Sequence, residues 1–192
     1  MHGWWAASYV VLWGVVVMLC LVVVALARQI GTLHLRLGPR GALEIDEEGP
    51  ALGAAPPPFQ TTDIDGAPVT IGGPGEAQLL LFVSPGCGVC KQVLPSVGVV
   101  AATAHMTPYV LTDAGGLPAD GVLASRPATA RVVPATDIAP AYAVPGTPFV
   151  VALDDQGVVR AKGLVNNLEQ MEGLIDSARR RVTTQAHPEV VP

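Results

Sequence analysis

Residues 78–95 read QLLLFVSPGCGVCKQVLP and contain the strongest structural signal in the chain. Its first part, residues 78–84, is a short and almost continuous apolar run, which is typical of a strand buried on both faces of an α/β sheet. The Pro85-Gly86 pair then ends the strand, and we expect a helix to begin near Cys87. A strand that leads through a cysteine pair into a helix predicts an α/β domain with its chemistry at this junction.

The spacing of the two cysteines favours thiol–disulfide exchange. At a helix N-terminus, unpaired backbone N–H groups and the positive end of the dipole stabilise a thiolate. The thiol pKa then falls below its usual value of about 8.5, which makes Cys87 the expected nucleophile. Cys90 follows about one turn later and is placed to attack the resulting mixed disulfide and release the substrate. We therefore predict Cys87 and Cys90 as catalytic residues.

Two other uses of the cysteine pair are open. The pair could be half of a zinc site, but the chain has no second Cys-x-x-Cys and its histidines lack ligand spacing. It could also be a purely structural disulfide, although closing so short a loop stabilises a fold little. We expect no metal and no cofactor. The scattered histidines are His2, His34, His105 and His187.

Turn signals place further strands around this centre. In residues 59–71, Asp65-Gly66 separates two β-prone runs, which predicts a hairpin at the start of the folded domain. The sequence Asp-Asp-Gln-Gly at 154–157 predicts a second hairpin turn. Between residues 112 and 142, Gly, Pro and Ala interrupt every periodicity, so no element is predicted there. The other runs with strand composition are 109–112, 149–153 and 158–161.

A helix closes the domain. Its N-cap is Asn166 or Asn167, and residues 179–181 are three arginines, which we expect in the last turn, where cations suit the helix dipole. We predict a domain over 59–182 and a frayed tail over 183–192. The apolar residues at helical spacing are Leu168, Met171, Leu174, Ile175 and Ala178.

The N-terminal segment has the length and composition of a membrane anchor. Residues 3–27 contain no Asp, Glu, Lys or Arg, and a helix of that length spans a hydrocarbon core of about 30 Å. A cleaved signal peptide is the alternative, because Ala25-Leu26-Ala27 resembles a cleavage site, but no Lys or Arg precedes the apolar run and the run is too long. We predict an anchor over 1–28, with Cys20 inert in it, and a Pro/Gly-rich solvated linker over 29–58.

Composition limits the partners. The chain has 192 residues, a net charge of −5 and 14% charged residues, which leaves no basic surface for a nucleic-acid backbone. We expect the membrane and another protein as partners instead. The membrane orientation is contested, because Arg28, Arg36 and Arg40 all follow the apolar run, and the positive-inside rule would put the domain in the cytoplasm.

Four features in this order resemble the thioredoxin superfamily: the strand at 78–84, the Cys-Gly-Val-Cys sequence, Pro95, and Val-Pro-Gly-Thr-Pro-Phe at 144–149. The resemblance implies a thioredoxin-like fold, a mixed central sheet flanked by helices. It also implies that the Thr147–Pro148 bond is cis and faces the sulfurs, where Thr147 and Pro148 bind substrate. Pro95 would kink the active-site helix, and Gly88 and Val89 would shape the site between the cysteines.

Segments outside the domain core are similar to the MauD family of methylamine-utilisation accessory proteins, membrane-anchored members of the thioredoxin-like (TlpA-like) superfamily. This resemblance implies an extracytoplasmic thiol–disulfide oxidoreductase that forms or rearranges disulfides in the methylamine dehydrogenase small subunit and is recycled by a redox partner. Alternative functions are a reductant for cytochrome c maturation or another secreted client, and a copper-binding or scaffolding module. The segments that carry the resemblance are 27–34, 41–43, 69–73 and 160–167.

The sequence also departs from thioredoxin near the site. Leu81 stands where thioredoxin has a buried Asp, so proton transfer at Cys90 would need water or another group. Gly86 stands where thioredoxin has Trp, so we expect a less covered site. The direction of electron flow is open. Lys91 and Lys162 are expected to be solvated surface charges.

Overall fold

The computed structural model describes residues 3–36, 48–113 and 121–186. The chain forms two compact units, residues 1–39 and 40–192. The elements of the second unit, in chain order, are β1 Phe59–Thr62, β2 Pro68–Ile71, β3 Gln78–Val83, α2 Gly88–Val93, α3 Ser96–Ala104, β4 Thr107–Thr112, the 3-10 helix η1 Val122–Ser125, β5 Arg131–Pro134, α4 Ile138–Ala141, β6 Phe149–Leu153, β7 Val159–Leu164 and α5 Leu168–Ala186.

The described residues of the first unit form one long helix, α1, Gly3–Arg36. Its residues Gly3–Val23 form one apolar stretch of 21 residues, which by length and composition is long enough to cross a membrane. The helix extends beyond residue 28, so residues 29–36, which we expected to start an extended linker, are helical. The reason is local, since these residues include no proline and the first proline after them is Pro39.

A five-stranded mixed sheet organises the second unit, with strand order β5-β4-β3-β6-β7. β3, β4 and β5 run parallel, and β6 and β7 are antiparallel to their neighbours. All six residues of β3 are buried, because the strand is central and both faces of the sheet are covered. The prediction of a mixed sheet flanked by helices is confirmed.

Alternate side chains of the sheet feed two apolar clusters. On one face, Leu79, Leu81 and Val83 pack with Cys90 and with residues of α3 and α5. On the other face, Leu80 and Phe82 pack against the β1–β2 hairpin and α4. This alternation follows from the period of two in a strand, and it places the cysteine pair on the face that carries the longer helices.

The segment 48–58, which we name the strap, contacts the second face and its edge. The Gly53 N–H donates to the Val159 carbonyl at 2.9 Å, and the Val159 N–H donates to the Ala54 carbonyl at 2.8 Å. Leu52 packs partly buried against the second cluster. These contacts show that the strap, expected to be solvated linker, packs against the folded unit, because the β7 edge has backbone groups that need partners.

Lys162 is another departure from expectation, because it is 1% exposed instead of solvated. Its ammonium donates to the Glu48 carbonyl of the strap at 2.7 Å, which supplies the polar contact that a buried ammonium requires. The expected exposure of Lys91 is confirmed.

The hairpin predicted at 59–71 is present, with β1 and β2 antiparallel. An ion pair joins it to the sheet edge: Arg131 of β5 donates to Asp63 through Nε at 2.9 Å and Nη2 at 2.8 Å. The backbone N–H of Ala67, together with this guanidinium, holds the pKa of Asp63 below its ordinary value. β5 itself was not predicted, because a four-residue strand at a sheet edge has too few residues to show a period.

The closing helix is also confirmed, with Asn167 as its cap, since the Asn167 side chain accepts from the Gln170 N–H at 2.9 Å. The helix runs to Ala186, however, so residues 183–186 are helical and the three arginines do not lie in its last turn. The rest of the expected tail, 187–192, lies outside the described residues.

Candidate active site

The cysteine pair lies where β3 passes into α2, as predicted. A tight turn connects the two elements, in which the Cys87 N–H donates to the Ser84 carbonyl at 3.1 Å. Cys87 is the N-cap residue of α2, with extended backbone angles. Its sulfur accepts the Cys90 N–H at 3.0 Å. This bond satisfies one of the free N–H groups at the helix start and aims it at Cys87.

Cys87 and Cys90 form a disulfide, with Sγ atoms 2.08 Å apart and Cα atoms 5.2 Å apart. The two sulfurs differ in access, because Cys87 is half-buried whereas Cys90 is fully buried. A reagent from solvent therefore reaches Cys87 first. The predicted nucleophile, Cys87, is thus the more accessible of the two sulfurs.

The surroundings of Cys90 are apolar. It belongs to the same buried cluster as Leu81, Val93 and Leu94. Position 81, where thioredoxin has an aspartate, is occupied here by a leucine whose side chain is fully buried in that cluster. A thiolate at Cys90 would gain no ionic partner from Leu81, so Leu81 cannot supply or accept the proton of this thiol.

A second loop lies beside the sulfurs. The peptide bond Thr147–Pro148 is cis, and the Thr147 carbonyl oxygen is 3.8 Å from Sγ of Cys87. The two loops meet because β3 ends and the antiparallel β6 begins at the same end of the sheet, where Phe82 pairs with Phe149. The structure thus brings Cys87, Cys90 and Thr147 together, and their roles in catalysis and binding stay predictions.

A side-chain hydrogen bond ties the two loops together, and sequence reasoning missed it. Ser84 Oγ and Thr147 Oγ1 are 2.9 Å apart, and both residues are half-buried. No local pattern marks this bond, because the two residues are 63 positions apart in the chain. The only signal available was that a hydroxyl residue ends the strand and another precedes Pro148.

The remaining residues predicted near the site have separate places. Gly86 and Gly88 are exposed and Val89 is 38% exposed, so the approach to Cys87 is open. Pro95 lies between α2 and α3 with helical backbone angles, as does Leu94 before it. Pro95 therefore marks a break between two helical segments, about one turn beyond the cysteine pair.

Metal ligands are not assembled in the described ranges. Within residues 3–36, 48–113 and 121–186, no group of three or more His, Cys, Asp or Glu residues could hold a metal ion. Cys20 is a free cysteine on α1, in the unit described separately from the one that carries the pair.

Comparison with known proteins adds to this geometry. No family model matches the chain. A methylamine utilization protein MauD from Methylobacillus flagellatus is 38% identical over 177 residues, which cover 90% of this chain and 86% of the relative. A protein of the same name from Paracoccus denitrificans is 34% identical over 177 residues, which cover 90% of this chain and 88% of the relative.

Solved structures support the fold. The crystal structure of a thiol:disulfide interchange protein of the thioredoxin family from Chlorobium tepidum matches with a TM-score of 0.54 and 19% identity. The match covers 67% of this chain and 97% of that chain. The folded unit therefore has the thioredoxin-like fold that the sequence resemblance implied.

Proposed function

The chain belongs to the MauD family of methylamine utilization proteins, and from this premise we propose that it is a membrane-tethered thiol–disulfide oxidoreductase. Its client in the proposal is the methylamine dehydrogenase small subunit, whose disulfides it forms or isomerises during maturation. The observation that carries the chemistry is the disulfide between a half-buried Cys87 and a fully buried Cys90 at the start of a helix.

Exchange on this pair is a balanced two-electron reaction. A client thiolate attacks Sγ of Cys87, the bond between Cys87 and Cys90 breaks, and Cys90 leaves as a thiolate. A second client thiolate attacks the client sulfur of the mixed disulfide, Cys87 leaves as a thiolate, and the client gains a disulfide. The two electrons stay on the pair until a redox partner removes them. The reverse steps reduce a client disulfide. Isomerisation follows when Cys87 attacks a client disulfide and a different client thiolate then displaces Cys87, so that the client's cysteines are paired anew.

The loop at Thr147 and Pro148 is the proposed docking site for the client chain. The Thr147 carbonyl lies 3.8 Å from the attacked sulfur, so a client backbone beside this loop would be held within reach of Cys87. Holding the reacting sulfur in place raises its effective concentration. Gly86 and Gly88 flank Cys87 in the sequence and are exposed, and a Cβ at either would meet no atom within 4 Å, which leaves room for a folded client.

The proposed compartment is extracytoplasmic, with α1 as the anchor. The 21-residue apolar stretch Gly3–Val23 supports the anchor. The compartment is supported by chemistry, because disulfides of client proteins persist in oxidising environments and are rare in the cytosol. The arginines after the apolar stretch argue the other way, so the test below also reports the compartment.

A trapping experiment tests the proposal. The full chain with Cys90→Ser is expressed in cells that make methylamine dehydrogenase, thiols are quenched with acid, and proteins bound through a reducible bond are identified. Loss of the resolving thiol should leave a long-lived mixed disulfide between Cys87 and the client. We expect the small subunit in that adduct. The matched control is Cys87→Ser/Cys90→Ser, which should capture no protein.

The outcomes separate the parts of the proposal. Capture of the small subunit would support client, chemistry and an extracytoplasmic domain together. Capture of a different secreted protein, such as an apocytochrome, would keep the chemistry and reject the client. If Cys90→Ser captures no more than the double variant, the exchange function itself is rejected.

A further inference from the structure

Ser84 is hydrogen-bonded to both loops of the site, the turn that leads to Cys87 and the loop at Thr147. Its carbonyl accepts the Cys87 N–H at 3.1 Å, which fixes the turn that carries the cysteine pair. Its hydroxyl shares a hydrogen bond of 2.9 Å with the hydroxyl of Thr147, which fixes the opposite loop. Ser84 is therefore hydrogen-bonded through its backbone to the turn and through its side chain to the Thr147 loop.

The loop held in this way presents an acceptor to the reactive sulfur. Sγ of Cys87 accepts a hydrogen bond from the Cys90 N–H at 3.0 Å. The Thr147 carbonyl oxygen lies 3.8 Å from the same sulfur. In the reduced protein, the N–H favours the thiolate. The carbonyl accepts from the thiol and repels the thiolate, so it favours the protonated form. The two contacts therefore act in opposite directions on the ionisation of Cys87.

We propose that Ser84 is a positioning residue that keeps the Thr147 carbonyl against Cys87 and thereby restrains ionisation of the Cys87 thiol. Loss of the Ser84 hydroxyl frees the Thr147 side chain and lets the carbonyl move away from the sulfur. The thiol then loses an acceptor and the thiolate loses a repulsive dipole. Both changes act in the same direction and lower the pKa of Cys87 in the reduced protein. The inference rests on the proposed function only in taking Cys87 as the reacting sulfur.

The test measures ionisation without any client. Full-length protein in detergent, carrying Cys20→Ser so that only the pair reacts, is reduced and pulsed with iodoacetamide across a range of pH. Alkylation at Cys87 is quantified by mass spectrometry, and its pH profile gives the pKa. Ser84→Ala should raise the acid dissociation constant of Cys87 about threefold, the effect expected of one weak hydrogen bond.

Variants of the partner residue separate positioning from damage to the fold. Thr147→Val removes the other hydroxyl and should shift the profile in the same direction by a similar factor. Ser84→Thr and Thr147→Ser each keep a hydroxyl and should have the pH profile of the unaltered protein. The double variant Ser84→Ala/Thr147→Val should shift the profile no further than either single change. Ser177→Ala, which removes a hydroxyl bonded to the Gly173 carbonyl on α5, should leave the profile unchanged.

Contrary results are equally definite. An unchanged profile in Ser84→Ala, a shift toward higher pKa, or additive effects in the double variant would overturn the positioning role. If Ser84→Ala fails to fold, Thr147→Val with its rescue by Thr147→Ser decides the question. None of these results depends on the trapping experiment, so a wrong client or a wrong function is recognised separately.

Discussion

Two buried hydroxyl groups, Thr112 Oγ1 and Tyr142 Oη, have no hydrogen-bond partner in the described part of the chain. Tyr142 is fully buried and packs against the rings of Phe59 and Phe82. Burial raises the pKa of Tyr142 from 10.0 to about 12. A buried polar group without a partner costs free energy, so at this position the ring stabilises the core and the hydroxyl opposes it.

We therefore expect Tyr142→Phe to increase the free energy of unfolding at pH 7 by about 1 kcal/mol. The folded-state pKa is raised, so the stability linked to the neutral hydroxyl is present below pH 10 and is lost as the pH rises from 10 toward 12. The variant should lack this loss. Urea unfolding measured from pH 7 to pH 11 checks both expectations.

Tyr109→Phe is the matched control, because the Tyr109 hydroxyl has an interaction with Arg131. Its removal should destabilise the domain. A Tyr142→Phe variant that loses stability at pH 7 by as much as Tyr109→Phe would contradict the assignment of Tyr142 Oη as unpartnered.

At the scale of the elements, the turn between β6 and β7 depends on a glycine for two reasons. Gly157 has a φ of +73°, which is strained for any residue with a side chain. A Cβ at this position would also lie 2.5 Å from the backbone nitrogen of Gly73, in the segment after β2. The hairpin turn predicted from 154–157 is thus also a contact point with the segment between β2 and β3.

Gly157→Ala should consequently lower the free energy of unfolding by more than the same substitution at a glycine that has only a positive φ. Gly66 is the control, because its φ is +82° but the space around it is open. We expect Gly66→Ala to lower the free energy of unfolding by about 1 kcal/mol and Gly157→Ala to lower it by at least about twice that amount, because backbone must move. Equal urea midpoints for the two variants would show that the close approach to Gly73 is relieved without cost.

At the scale of the whole molecule, the strap joins distant parts of the chain into one folded unit. It reaches Val159 through two backbone hydrogen bonds and Lys162 through the Glu48 carbonyl. Gly49 also lies close to the Phe149 ring, with no room for a Cβ between them. The folded unit therefore begins upstream of the first strand.

Truncation tests how much the strap contributes. A variant that begins at Glu48 should unfold cooperatively, whereas one that begins at Phe59 should lose about 3 kcal/mol. That loss is the order expected of three hydrogen bonds, two at Val159 and one from Lys162, and of one half-buried leucine, Leu52. Urea unfolding followed by circular dichroism measures the difference. Equal stability of the two variants would mean that the strap contacts contribute nothing in solution.

Local patterns were sufficient for the centre of the molecule. The apolar run of β3, the cysteine pair at a helix start, the β1–β2 hairpin and the helix α5 were all predicted, because each depends on residues that are near one another in sequence. Helix extents were less well predicted, since residues 29–36 and 183–186 are helical although their composition had suggested a linker and a frayed tail. The short strand β5 was missed because its register comes from pairing with β4.

The α/β fold class, the position of the cysteine pair at a helix start and the apolar N-terminal stretch could all be read from the sequence, because periodicity, turn residues and cysteine spacing act over a few positions. Only the tertiary structure decided the bond between Ser84 and Thr147, the burial of Lys162 and the clamp of Asp63 by Arg131. These contacts join residues that are 63, 114 and 68 positions apart. Their partners are chosen by the packing of the sheet, and such a choice leaves no periodic trace in the chain.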